Sequence, residues 1–311
     1  MNSSHVYIGV DVSKASLQID PFDHQAPIIP NTSQGLRSLI RRIQADSRAL
    51  GICCEATGGY ERRLITLLTQ AGIPVALLHP RRVRKFAESK GVLAKTDAID
   101  ARILTWFARE NPPRPVLAPT PWSQDLRALL IRRNELVDIR TQEKSRLDPE
   151  PMAAIQKLIR AHLEGLDQHI NRIEAQLKEM VREHTDLDQL VTRIIRVKSL
   201  GLITVLSMIA FVPELGHITD NQAAALVGVA PYNNDSGLHK KKRIIKGGRP
   251  RVRRVLYMAA VSASRSNPIL RAFYQRLIQQ GKPPKVALTA LMRKLVVLVN
   301  RLVADPEFQL S

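Results

Sequence analysis

The sequence predicts an α/β domain at the N-terminus, a helical coiled-coil middle and an all-α C-terminal region, and three observations carry that division. The first 110 residues alternate strand patterns with amphipathic helix patterns. Residues 111–121, NPPRPVLAPTP, hold five prolines, which fix φ and remove amide donors, so this stretch is a stiff connection and no regular helix. Beyond it the apolar residues recur every three or four positions. The expected boundaries are 1–111, 112–189 and 190–311.

Taken in order, VYIGVDVS at 6–13 alternates, with Val6, Ile8, Val10 and Val12 on one face of a strand and Asp11 on the other. LQIDPF and APIIPN read as further strands, and Gln34 to Ser47 as an amphipathic helix. GICCEATG is a buried strand that ends near Glu55. A helix from Tyr60 to Gln70 follows, and Gly72 breaks it into the strand PVALLHP. The basic stretch RRVRKFAESKG then leads to a helix from about Thr96 to Glu110. After the prolines, Leu126 to Arg146 is helical by pattern and LDPEP interrupts at 147–151. Met152 to His184 resumes with Leu163, Leu166, Ile170, Ile173, Leu177 and Met180 three and four apart, a coiled-coil seam. The same stripe equally suits a helix packed on its own protein. From Leu190 onward, short helical patterns broken by Gly201, Gly216, Pro231, Gly247, Pro268 and Gly281 give a compact helical domain.

At 311 residues the chain is too long for a simple binding module, and 47 Lys plus Arg against 28 Asp plus Glu leave a net charge of +19. The surplus is local: residues 236–304 hold 17 Lys and Arg and no acid. A neutral body with a basic C-terminal region fits a polyanionic partner, with nucleic acid first among candidates. Cys53 and Cys54 are adjacent and so face opposite ways in a strand, which argues against a disulfide between them and suits a reducing cytosol. The longest apolar run, Leu202 to Val212, is too short to span a bilayer, so the expected location is cytoplasmic, with no membrane partner.

An Asp in mid-strand costs β-propensity and desolvation, so Asp11 among valines needs a reason, and a cation is one. Glu55 ends another apolar strand, and Asp97 and Asp100, three apart, share one face at a helix start. Carboxylates gathered closely raise each other's pKa unless a divalent cation compensates them, and oxygen-only ligands select Mg²⁺ or Mn²⁺. Two such ions could activate an attacking oxygen and stabilise a leaving one in phosphoryl transfer. The histidines and cysteines show no zinc-ligand spacing. Taken singly, each acid has a plainer reading: Asp97 and Asp100 suit a helix dipole, and Glu55 a turn.

Ser236 precedes Gly237 in a polar turn, directly upstream of Lys240, Lys241, Lys242, Arg243, Lys246, Arg249, Arg251, Arg253 and Arg254. A hydroxyl beside phosphate-binding charge can be a nucleophile if a base or metal deprotonates it, although a Ser-Gly pair is more often only a turn. The tract has no acids to pair with, and Gly247-Gly248 and Pro250 favour a phosphate-hugging segment over a solvated loop. Aromatic residues are few, so no base-stacking platform is indicated.

Together these stretches resemble the insertion-sequence 110 transposases, the DEDD recombinases that include the pilin-gene DNA invertases. The resemblance runs nearly end to end and rests on YIGVDVSK, CCEATGGYE, KFAESKGVLAKTDAIDARIL, LVGVAPYNNDSG, GGRPRVRRVLYMAA and GKPPKVALTALMRKL. It implies a RuvC-like, RNase H-type N-terminal domain whose acids are Asp11, Glu55, Asp97 and Asp100, binding Mg²⁺. It also implies a catalytic serine at Ser236 that attacks a DNA phosphate and holds the strand covalently, the two halves making one composite site. The implied partners are donor and target double-stranded DNA, a structured noncoding bridge RNA as guide, and further copies of the chain, in a bacterial or archaeal cytoplasm against the nucleoid. One departure is Lys198-Ser199-Leu200-Gly201, where the family often has Pro-Gly-x-Gly.

Two other readings remain open at this stage. A hydrolytic RuvC-like Holliday-junction nuclease needs the four acids and no serine, and a non-catalytic nucleic-acid-binding scaffold needs neither. An actin-like ATPase, suggested by IGVDVSK, lacks the later Gly-rich phosphate loops.

Overall fold

A computed structural model describes residues 6–23, 25, 27–48, 50–232, 235–236, 239–240 and 243–308. The chain divides into two compact units, 1–119 and 120–311.

The first unit is built on five strands, β1 (Val6–Val12), β2 (Ser16–Ile19), β3 (Ile28–Pro30), β4 (Leu50–Glu55) and β5 (Val75–Leu78), in the order β3-β2-β1-β4-β5. β1 is antiparallel to β2, and β2 to β3, whereas β1, β4 and β5 run parallel. Helices cover both faces. α1 (Ser33–Ala45) and α2 (Arg62–Gln70) bring Leu36, Leu39, Ile43, Leu64 and Leu68 against Ile8, Val10, Val12, Ile52, Cys54 and Val75. α3 (Pro80–Ser89) and α4 (Asp97–Glu110) bring Val83, Ala87, Ile103, Leu104 and Phe107 against Cys53, Ala76 and Leu78. Burial on both faces is why β4 reads as a continuous apolar run. It also sets Cys53 and Cys54 in separate cores, as their adjacency predicts, both free. Burial pushes the Cys53 thiol up to about 12 and raises that of Cys54 as well, so neither is a thiolate at neutral pH.

The sheet and its helices bear out the α/β expectation for this part of the chain. One element differs. RRVRKFAESKG is not merely a basic lead-in, because Pro80 to Ser89 forms α3, started by His79, whose Nδ1 accepts from Arg81 N at 3.2 Å, with Pro80 in the first turn. Proline there gives up an amide that would have had no partner in any case. The proline-rich connection is irregular as expected, but Val116 N donates to Val75 O at 2.7 Å and fastens it to β5.

The second unit starts with α5 (Ser123–Leu147) and α6 (Ala153–Glu183). Arg133 pairs with Glu174 and Arg140 with Asp167, so the two helices run antiparallel, and Leu136 packs on Leu166 and Ile170 between those pairs. Leu163, Leu166, Ile170 and Leu177 of the apolar stripe are buried within this chain, whereas Met152, Ile155 and Leu158 remain exposed at its start. α7 (Thr185–Ile195), α8 (Leu202–Phe211), α9 (Asp220–Val227), α10 (Pro250–Ser266), α11 (Pro268–Gln279) and α12 (Pro284–Ala304) share one core with Trp122, Leu126 and Leu130 of the first hairpin's N-terminal end. No helix among the described residues is long and apolar enough to cross a membrane.

The C-terminal region is helical with one exception. Between α9 and α10 the chain forms an arm of two-residue strands, β6 (Pro231–Tyr232), β7 (Asp235–Ser236), β8 (His239–Lys240) and β9 (Ile244–Ile245), pairing β6 with β9 and β7 with β8. Segments this short carry no usable alternation, and the surrounding Asn, Asp, Gly and Lys mask the β-preference of Tyr232, Ile244 and Ile245.

Candidate active site

β1 and β4 are parallel neighbours in the register Val10↔Cys54, so their last turns of strand lie side by side. Alternation puts Asp11 on the face of Tyr7 and Gly9, and Glu55 on the face of Cys53, which is the face that α4 covers. Gly9 is what lets α4 lie there. A Cβ on it would stand 2.0 Å from Ala101 O and 2.7 Å from Thr105 N, closer than atoms can approach. In that close contact the Gly9 amide donates to Thr105 Oγ1 at 2.7 Å. The helix thus comes down on β1 with its first turn, Asp97 to Asp100, near Asp11. Thr96 caps it by accepting from Ile99 N at 3.3 Å.

The electrostatics report the same convergence. Burial raises the pKa of Asp11, and the charges of Asp97 and Asp100 raise it further. Burial likewise raises Glu55, with Asp100 and Asp11 adding to it, and Asp100 is raised by burial and then by Asp97. Lys95 is the cation that offsets all three. Asp11, Glu55 and Asp100 are partly buried and Asp97 is exposed; four neighbouring carboxylates with only oxygen donors have the donor chemistry of a Mg²⁺ or Mn²⁺ site. As the side chains stand, no three His, Cys, Asp or Glu groups among the described residues enclose an ion. The sequence-predicted acids are therefore brought together as a charge cluster, and in chemistry they fit the metal.

Two supporting residues escaped sequence reasoning. Glu61 is buried and accepts from Thr57 N at 3.2 Å, Thr57 Oγ1 at 2.8 Å and Gly59 N at 2.8 Å, closing the loop that follows Glu55. Burial pushes its pKa up, but these donors more than reverse that and hold it below the usual carboxylate range. Asn31 donates from Nδ2 to Ser13 O at 2.9 Å and to Tyr60 O at 3.3 Å, so one amide holds the loops after β1 and β4. Glu61 closes the motif CCEATGGYE and was findable there; Asn31 gave no signal.

The arm carries Ser236 in β7, paired in register with His239 in β8. Lys240 follows in β8, and Lys241 and Lys242 lie outside the described residues. Arg243 and Lys246 are exposed. The arginines at the start of α10 have partners within the second unit. Arg249 donates to Glu214 Oε2 at 2.6 Å and to Phe211 O at 2.8 Å. Arg253 donates to Gly247 O at 2.6 Å, Arg254 pairs with Asp138, and Arg251 lies over the Phe211 ring. Burial pushes Glu214 up, and the hydrogen bonds and charge of Arg249 bring it below its ordinary pKa. In the departing tetrapeptide, Ser199 has φ of 97°, a left-handed conformation that suits the glycine the family often places there.

An acid cluster on a mixed sheet, with a helical second unit bearing a basic arm, defines a class of DNA-modifying enzyme. Residues 8–149 match the DEDD model of insertion-sequence 110 transposases, and residues 191–275 match the IS116/IS110/IS902 transposase family. The chain belongs to the IS110 family of transposases and recombinases. It is 26% identical over 311 residues to the pilin gene-inverting protein of Moraxella lacunata, covering 95% of this chain and 94% of that one. It is 24% identical over 264 residues to the transposase for insertion sequence element IS1111A of Coxiella burnetii, covering 74% of this chain and 70% of that one. A RuvC structure from Thermus thermophilus aligns with 35% of this chain and 99% of its own at 12% identity, with a TM-score of 0.27.

Proposed function

We propose that this chain cuts and rejoins double-stranded DNA by phosphoryl transfer, with Asp11, Glu55, Asp97 and Asp100 holding Mg²⁺ or Mn²⁺ and Ser236 carrying the cut strand as a phosphoserine. The observation that supports it best is the convergence of Asp11, Glu55 and Asp100, all with raised pKa values, at the ends of β1 and β4 and the start of α4, where the charge of Asp97 bears on Asp11 and Asp100. When bound, the metal supplies positive charge for the phosphate as charge develops on it. Around it this chain does the positioning: Gly9 and Thr105 seat α4, and Asn31 and Glu61 fix the loops beside Asp11 and Glu55. The serine hydroxyl attacks phosphorus, and the exposed Arg243 and Lys246, with Lys240 to Lys242 beside them in sequence, hold backbone phosphates.

On this reading base pairing with a structured noncoding RNA from the same element supplies sequence specificity, and the protein grips backbones. Further copies of the chain join through the apolar start of α6, where Met152 is 58% and Leu158 67% exposed. The test uses full-length protein, the RNA that copurifies with it and duplex DNA carrying the element's joined ends. Wild-type protein forms a covalent protein–DNA adduct on a denaturing gel, and Ser236→Ala forms none and rejoins nothing. A Ser236→Ala protein that cuts and rejoins at the wild-type rate overturns the phosphoserine mechanism, and one that cuts without rejoining fits the hydrolytic nuclease instead.

A further inference from the structure

The surface beside the acid cluster carries charge that no neighbouring acid takes up in full. From His79 to Lys95 the chain has six Lys and Arg and one acid, Glu88. Two of the six are built into the fold. Arg82 lies over the Phe107 ring, and Lys90 donates to Glu110 Oε1 at 2.8 Å and lies over the Phe86 and Trp106 rings. Arg81, Arg84 and Lys85 are exposed and, three and four residues apart, share one face of α3, while Val83 and Ala87 are buried in the core. Arg84 Nε donates to Glu88 Oε1 at 3.1 Å, an exposed pair that contributes little. No ion pair among the described residues includes Arg81 or Lys85. α3 has no acid in its first turn, where free amides oppose a cation, so the helix gains nothing from Arg81.

We propose that Arg81, Arg84 and Lys85 form a phosphate track that leads the DNA strand to be cut onto the acid cluster, an inference that rests on the reading of that cluster as the cutting site. β5 ends beside β4 in the register Glu55↔Leu78, and α3 begins two residues after Leu78. Its first turn therefore starts from the sheet edge that holds Asp11 and Glu55, at the carboxyl ends of parallel strands, where open α/β sheets take their ligands. α4 begins at the same edge, and the two helices share a core of Val83, Ala87, Ile103 and Phe107. The charge of Arg84 reaches Asp100, and that of Lys95, in the loop between the helices, reaches Asp11, Glu55 and Asp100.

A strand entering this site needs such a border. Carboxylates repel a phosphate backbone, and cations beside them draw it in. From Arg81 to Lys85 the helix rises about 6 Å, close to two phosphate steps of one strand at about 3.4 Å each along a duplex. The aromatic residue of α3, Phe86, packs edge-on against Trp106 and Phe107, so the track offers charge without a stacking platform and grips backbone whatever the sequence.

The test uses full-length protein with its copurified RNA and joined-end duplex DNA, in chelator, so that binding is read without cutting. Arg81→Gln/Lys85→Gln removes two phosphate contacts, and the slope of log K for DNA against log salt concentration falls by about 2. Arg37→Gln/Arg41→Gln makes the same charge change on exposed residues of α1, across the sheet, and keeps the wild-type slope. An unmoved slope in the α3 variant, or an equal fall in both, overturns the track. A thiol-reactive photocrosslinker on Arg81→Cys protein, whose native cysteines are buried, shows what lies there. Label on DNA at the junction of the joined ends is the expected result; label on the RNA, on DNA remote from the junction or on neither overturns the assignment. Failure of the underlying reading is seen separately. Wild-type protein that forms no adduct in Mg²⁺ defeats the cutting site, whereas an unmoved slope beside normal adduct formation defeats only the track.

Discussion

Two helices of this chain begin with like charge concentrated in or just before the first turn, and they treat it in opposite ways. α4 opens on Asp97 and Asp100, and α10 on Arg251, Arg253 and Arg254 with Arg249 just before it. The free amides of a helix N-terminus favour anions, so the helix supports the acids and opposes the arginines. Yet the arginines have Glu214, Asp138, the Gly247 carbonyl and the Phe211 ring around them. No ion pair among the described residues includes Asp11, Glu55, Asp97 or Asp100; the charge of Lys95 offsets Asp11, Glu55 and Asp100 in part, and that of Arg84 adds to it at Asp100. Charge that the protein neutralises internally is architecture as well as binding surface. Charge left without an internal ion pair costs folding energy, and on the proposed reading a cation repays it.

The largest effect that would break this contrast is at Asp11. If Asp11 is a metal ligand as proposed, Asp11→Asn removes several kcal/mol of transition-state stabilisation and adduct formation falls about 10³-fold. Its stability moves the other way. The folded-state pKa values of Asp11, Glu55 and Asp100 are raised, so the stability they contribute is fully present below their ordinary carboxylate pKa and is lost as pH rises through the raised values. At neutral pH in chelator Asp11→Asn therefore melts higher than wild type. Adding Mg²⁺ raises the wild-type melting temperature and closes the gap. A variant that melts lower in chelator shows that the acids are structural after all.

Arg249 carries the next largest effect. Arg249→Met leaves the Glu214 carboxylate, two-thirds covered, without its charged donors, and the helical unit loses about 2 kcal/mol. Glu214 has a lowered pKa, so the stability of the pair exists above the ordinary glutamate value and is lost as pH falls through the lowered one. The deficit of Arg249→Met, measured by urea unfolding, accordingly shrinks in acid.

These contrasts mark what could be read from the sequence. The acids were legible because a carboxylate in an apolar strand breaks a local rule, and because Asp97 and Asp100 have helical spacing. Gly9 could have been read as a close approach, but its contact with Ala101 and Thr105 lies about a hundred residues away in the chain, and a single pattern holds no such distance. Asn31 acts wholly through non-local carbonyls and left no trace. The arginines were legible as charge and not as partners, because Glu214 and Asp138 precede the basic tract and a local count finds no acids near it. The β-arm was hidden by strands two residues long.

Arg254 gives the smallest effect and the sharpest test of the contrast, since its charge should serve both uses. Its side chain is 66% exposed and that of Asp138 51% exposed, so the pair contributes at most about 1 kcal/mol to folding. Arg254→Ala should therefore unfold within that margin of wild type. If Arg254 also reaches a phosphate, the slope of log K for duplex DNA against log salt concentration should fall by about 1. Asp138→Asn frees the guanidinium and should steepen the slope or leave it unchanged, never flatten it. If both substitutions leave the salt dependence unmoved, Arg254 belongs with Arg249 on the architectural side, and the DNA-gripping charge of the second unit narrows to the arm from Lys240 to Lys246.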